Sequence, residues 1–242
     1  MSWQVVARKD FRDAVRSRAL WALSALFLGL AVLIAVVYAT VDEVSGGDPT
    51  ALGLIFFLAS IVGTFVSIAA ILVCYKAVAG ERERGTIKIT LSLPHSRGDV
   101  ILGKLVGRTA VLALPVVGAL VVGTLLGGAL FGQVAPLETL LFGVTSLLFI
   151  LAYVGIMVGL SATTGSTTRA ATLTVGFFVV VELFWDAVVL ALTVIGNDFT
   201  LPASPADFPE YIYLVQQVPP SSSFLTSISA IIPGAAQDAA GG

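Results

Sequence analysis

Long apolar runs separated by short charged segments organise this chain from end to end. Five stretches carry almost no charge: Ala19 to Val41, Ala51 to about Tyr75, Leu105 to Phe131 with Arg108 near its start, Thr139 to Ala162, and Ala170 to Gly196. Crossing the roughly 30 Å hydrocarbon core of a bilayer takes about 20 helical residues, so each run is long enough. Polar and apolar residues do not alternate within them, which excludes membrane barrel strands. The first run is too long for the core of a secretory signal, and eighteen charge-rich residues precede it. The predicted fold class is all-α: a polytopic helical membrane protein with five visible spans.

The segments between the runs have characters of their own. In residues 1–18, Trp3, Ala7, Phe11, Ala14 and Val15 recur at three- and four-residue spacing with cations on the other faces, the pattern of an interfacial helix lying on a membrane surface. The bundle proper is expected over residues 19–196, with one long polar loop at 76–104. That loop opens with dense charge, Glu81-Arg82-Glu83-Arg84. It continues through Ile87, Ile89, Leu91 and Leu93 to Pro94, which stops the run. Ser96 with Asp99 three residues on has the form of a capping box that starts the next helix. The loop reads as a short helical element beside the membrane or as an ordinary solvated connector, and either way its charged side chains are expected to sit in water. Residues 197–242 hold six prolines and no run of spanning length. Tyr211 to Val218 and Phe224 to Ile232 suit interfacial or re-entrant helices on the outer side; a disordered tail is the alternative.

Composition agrees with this pattern: 57% of the 242 residues are apolar, 12% are charged, and mean hydropathy is +0.99. A soluble domain needs about twice that charge to cover itself. A single cysteine, Cys74, excludes an intramolecular disulfide and a cysteine-built metal cage. The position of each charge matters more than the net −2. All thirteen cations fall before the first span, in and beside the 76–104 loop, or at Arg169, whereas the alternate segments hold only acids. The positive-inside rule then places the N-terminus and the 76–104 loop in the cytoplasm of a multi-pass cell-membrane protein.

Candidate chemistry is sparse. Glu182 and Asp186 lie within the fifth run, four residues apart and so on one face of a continuous helix. Carboxylates at membrane depth are costly and normally face a protein interior or water. They could line a pathway or carry protons; a shorter span would place both near the outer interface. Gly123 with Gly127, Gly128 with Gly132, and Gly155 with Gly159 are pairs that permit close helix contact. Pro115 is expected to kink the third span. His95 has no identifiable catalytic or metal partner, and no phosphate-binding Gly-x-x-x-x-Gly-Lys-Ser/Thr string exists. Enzyme activity, cofactors, metal sites and nucleic-acid partners are not expected.

Two stretches resemble a known family. The order Glu81…Gly85-Thr86…Leu91-Ser92-Leu93-Pro94…Ser96-Arg97-Gly98…Leu102-Gly103-Lys104 resembles the inner-loop signature of type-2 ABC transporter permeases. The opening Ala7-Arg8-Lys9-Asp10-Phe11-Arg12-Asp13…Arg16-Ser17-Arg18 resembles their N-terminal elbow helix. The resemblance implies a permease subunit of an exporter, embedded in membrane lipid and working as a homodimer. ATP would be hydrolysed on a separate ABC ATPase subunit. It implies that Glu81, Arg82, Arg84, Gly85, Thr86 and Lys88 face that ATPase, and that a sixth span is missing from the C-terminal end. A proton-coupled carrier using Glu182 and Asp186, or a non-transporting scaffold, are the alternatives.

Overall fold

The structure is a computed structural model that describes residues 3–46, 48–86, 96–197, 200 and 210–232. Helix α1 (Trp3–Val15) precedes α2 (Arg18–Thr40), α3 (Asp42–Ser45), α4 (Ala51–Cys74) and the short α5 (Ala79–Glu83). Then follow α6 (Arg97–Phe131), α7 (Pro136–Ala162), α8 (Thr167–Phe178), a π-helical turn at Val179–Leu183, and α9 (Trp185–Gly196). Two further helices, α10 (Glu210–Val215) and α11 (Pro220–Ile231), lie beyond. Four helical stretches are long and apolar enough to cross a membrane; α8 with the π turn and α9, bent by 49°, makes a fifth.

Local chemistry sets the boundaries. Ser17 starts α2 by accepting from the Leu20 N–H at 3.2 Å, and Thr50 starts α4 by accepting from Gly53 at 3.0 Å. At α6 the capping box is complete: Ser96 Oγ accepts from the Asp99 N–H at 3.0 Å, and the Ser96 N–H donates to Asp99 Oδ2 at 3.0 Å. The helix that carries the third apolar run therefore begins at Arg97, as the capping box predicts, and its 35 residues reach about 50 Å, well beyond a hydrocarbon core. It runs unbroken through Pro115.

Helix α4 forms the middle of the bundle, packed against α2, α6, α7 and α11. Leu54 and Leu58 of α4 sit over Gly127 and Gly123 of α6, where an added Cβ would overlap Leu54 at Gly127 and press tightly on Leu58 at Gly123. That glycine pair is a close helix contact. No atom lies within 4 Å of a Cβ at Gly159, and Gly155 meets only Leu105 at 3.8 Å, so the α7 pair makes no such contact within the chain. Large apolar side chains such as Leu33, Leu72, Leu125 and Leu148 point outward, as they do when the solvent is lipid.

After α9 the chain folds back. Tyr211 Oη donates to the Leu192 carbonyl at 3.3 Å and Trp185 Nε1 to that of Val215 at 2.7 Å, fastening α10 to α9. Helix α11 then enters beside α4 and α7, where Phe224 stacks on Phe149 at 4.7 Å and Ile228 is fully buried. Its 12 residues span about 18 Å, too short to cross. Residues 210–232 thus hold two short helices, Glu210–Val215 and Pro220–Ile231.

Candidate functional site

Chemistry-bearing side chains converge at the end of the bundle where α1, α5 and the start of α6 meet. The joint begins with two small residues at the start of α6. Gly103 and Gly107, one turn apart on α6, form the groove in which α1 lies. A Cβ at Gly103 would stand 2.6 Å from Val6 Cβ and 2.8 Å from the Trp3 carbonyl; one at Gly107 would stand 3.1 Å from the Ala7 carbonyl. The approach excludes a side chain at Gly103 unless α1 shifts, and leaves one at Gly107 tight. Helix α1 is thus docked along α6, not merely laid on lipid.

Charge locks that contact. Arg108 Nε donates to Asp10 Oδ2 at 2.6 Å, and Arg108 Nη1 to the Val73 carbonyl at 2.9 Å, joining α1, α6 and the last turn of α4. Lys104 Nζ lies 2.7 Å from Glu81 Oε1 and 3.8 Å from Asp10 Oδ1. Its side chain is only 2% exposed and that of Glu81 21%. The expectation that the loop's charges all sit in water fails at Glu81 and Lys104. The capping box carries α6 back over Lys104, so that this cation needs a carboxylate, and Glu81 supplies it. Burial makes the pair costly to break, because either group alone would be an uncompensated charge.

A hydroxyl does similar work on the other side. Between the end of α4 and the start of α5 several backbone groups lack helical partners. Ser161 of α7, fully buried, accepts from the Val78 and Ala79 N–H groups at 3.1 and 3.2 Å and donates to the Tyr75 carbonyl at 2.8 Å. One hydroxyl thereby uses its proton and both lone pairs. Glu83 reaches across to α8, whose N-terminus has no cap of its own: the Thr167 N–H donates to Glu83 Oε2 at 3.2 Å. Hydrogen bonds from Thr167, its side chain first and then its backbone, hold the Glu83 carboxyl below the usual carboxylate range.

Above these anchors α5 ends in a fixed turn. Arg84 Nε donates to the Gly80 carbonyl at 2.9 Å, and Gly85 takes φ +73°, the left-handed conformation that ends helices and suits glycine. Thr86 Oγ1 donates back to the Glu81 carbonyl at 3.4 Å. Arg82, Glu83, Arg84 and Thr86 are exposed. Of the six residues that the resemblance implies at an ATPase contact, five are brought together here, with Glu81 turned down into the bundle; Lys88 lies outside the described residues. A mixed-charge cleft of about 400 Å³ runs between α1 and this turn, lined by Asp10, Asp13, Glu81, Arg84, Lys104 and Arg108 among others.

The other candidate pair is not brought together. Glu182 lies in the π turn and Asp186 in the first turn of α9, beyond the break at Phe184. The extra residue per turn and the 49° bend abolish the shared face that i, i+4 spacing gives a straight helix. Asp186 is exposed, at a helix N-terminus where its charge is favourable. Glu182 is half-buried and accepts from Ser221 Oγ of α11. A carrier that needs both carboxylates in one pathway loses its geometry.

A family profile described as ABC-2 family transporter protein matches residues 4–240. The chain is 34% identical over 203 residues to a probable ABC transporter permease protein NosY of Stutzerimonas stutzeri, covering 79% of this chain and 71% of that one. It is 29% identical over 209 residues to the probable permease of the same name from Pseudomonas aeruginosa, covering 81% and 73%.

Proposed function

Because the chain belongs to the ABC-2 family of transporter proteins and is a transmembrane ABC transporter permease subunit, we propose that it forms half of a homodimeric exporter driven by a separate ATPase. ATP is hydrolysed on that partner, which docks on the exposed turn of Arg82, Glu83, Arg84, Gly85 and Thr86. Glu81 acts from beneath as a positioning residue.

One observation carries this reading: the turn is exposed above, yet anchored below to three separate helices. Lys104 ties it to α6, Ser161 to α7, and Glu83 to α8. A force applied at the turn reaches all three without passing through a flexible connector. The turn at 163–169 is too short to offer such a surface alone. By the distribution of cations, this end faces the cytoplasm of a cell-membrane protein.

A photo-crosslinking residue at Arg82 in the co-expressed complex tests the docking. The expected result is a crosslink to the ATPase at Arg82 and none at Leu125, which points to lipid. A crosslink-free Arg82 in a complex that still hydrolyses ATP overturns it. Orientation is checked separately: a cysteine at Asp48 should react with an impermeant reagent in intact cells, and one at Arg84 should not.

A further inference from the structure

Midway along the bundle, α4 carries a polar stripe that plays no part in the joint above. Ser60, Thr64 and Ser67 stand at i, i+4 and i+7, on one helical face. With Glu182 and Ser221 they line a cavity of about 200 Å³ between α4, the π turn and α11.

The hydroxyl protons are already committed. Ser60 donates to the Phe56 carbonyl at 3.1 Å, Thr64 to that of Ser60 at 3.1 Å, and Ser67 to that of Gly63 at 2.9 Å, while Ser221 donates to Glu182. What these groups offer the cavity is therefore lone pairs. Glu182 Oε1 and the Tyr153 hydroxyl are buried and make no well-formed hydrogen bond among the described residues, although the fully buried Tyr153 lies close enough to interact with both Ser67 and Glu182. No lysine or arginine is among the lining residues.

We propose that this cavity binds a small monovalent cation, Na⁺, K⁺ or a primary ammonium, between the Glu182 carboxylate and the oxygens of Ser60, Thr64 and Ser67. An anion would meet the charge of Glu182 and hydroxyl lone pairs, with the Tyr153 O–H the one donor placed near it. A neutral ligand would leave the carboxylate without a counter-charge at membrane depth. A hard divalent ion gathers more carboxylate than the single group here supplies. One carboxylate ringed by acceptor oxygens matches a single positive charge. The site stands independently of how the ATPase docks.

Trp185 is positioned to report occupancy, three residues from Glu182 with its indole fixed by the Val215 carbonyl. The test uses the full chain with Trp3→Phe and Trp21→Phe, in nanodiscs of zwitterionic lipid. It is titrated with NaCl, KCl or methylammonium chloride at constant ionic strength maintained by N-methylglucamine chloride. At least one cation should give a saturable change in Trp185 emission and a rise in Tm; the metal and ammonium arms identify which. Glu182→Gln should abolish the response, and Ser67→Ala, which keeps the carboxylate, should weaken half-saturation several-fold. A response that survives in Glu182→Gln overturns the site. So does emission that follows pH alone and is identical in every salt, because Glu182 would then hold a proton and no ion.

Discussion

The charged end of the bundle and its middle both set carboxylates among helices, but they treat them in opposite ways. Asp10 and Glu81 have cations within hydrogen-bonding reach, Arg108 and Lys104, and those cations also span α1, α4, α5 and α6. Glu182 has a hydroxyl, one unpartnered oxygen and an adjacent cavity. Glu81 Oε2 and Glu182 Oε1 are both buried without a partner among the described residues, so the difference lies in the counter-charge: Lys104 balances Glu81, which makes that pair costly to break, whereas no cation lines the cavity beside Glu182. On the proposals above, the charged end would transmit and the middle would bind.

The sharpest way to break the contrast is to make the joint resemble the cavity. Lys104→Met leaves Glu81 without its cation and should cost about 3 kcal/mol, the scale for breaking a buried pair by removing one partner. It should appear as a clear fall in Tm in detergent. Glu182→Gln, which keeps an acceptor for Ser221, should stay within about 1 kcal/mol of wild type, the scale of one hydrogen bond. Equal losses in the two variants would erase the distinction.

Packing gives the next effect in size. Gly103→Ala forces a methyl against Val6 and the Trp3 carbonyl, and overpacking of this kind costs about 1–3 kcal/mol. Trp3 emission should shift red as α1 lifts away. Gly159→Ala, with nothing within 4 Å, is the control and should leave emission unchanged.

Much of the fold was legible in the sequence because spans obey a simple length rule. The starts of α2 and α4 fall within a residue of the apolar runs that announce them. Ser96 and Asp99 mark the true start of α6, and Arg108 falls within the third run, yet the partners of Lys104 and Arg108 stay hidden, since a charge count records sign but not partners. The packing role of Gly103 and Gly107 was not legible, because they straddle the start of the apolar run and their partner is α1, far away in the sequence. The break at Phe184 left no local signal, neither proline nor glycine, only a β-branched run at Val179-Val180-Val181. Without it, Glu182 and Asp186 fell on one face. The stripe of Ser60, Thr64 and Ser67 was readable by spacing, but single hydroxyls in spans draw no notice until a carboxylate is seen opposite.

The smallest expected effect refines the joint's edge. Glu83 has its folded pKa depressed by Thr167, so what it contributes is present above the ordinary carboxylate range and is lost as pH falls through the lowered value. Electron-paramagnetic distances between spin labels at Arg82 and Thr168 should broaden reversibly on acidification. Glu83→Gln should remove that pH dependence and start from the broader distribution.

The most direct test of the account is a double-mutant cycle across Glu81 and Lys104 in the assembled complex, read by ATP-driven transport alongside ATPase activity. Glu81→Gln and Lys104→Met should each uncouple hydrolysis from transport. The double variant, with neither charge left uncompensated, should recover coupling beyond the sum of the single losses by an interaction energy of about 1 kcal/mol or more. Additive losses, or single variants that transport normally, would contradict the claim that this buried pair carries the ATPase's motion into the bundle.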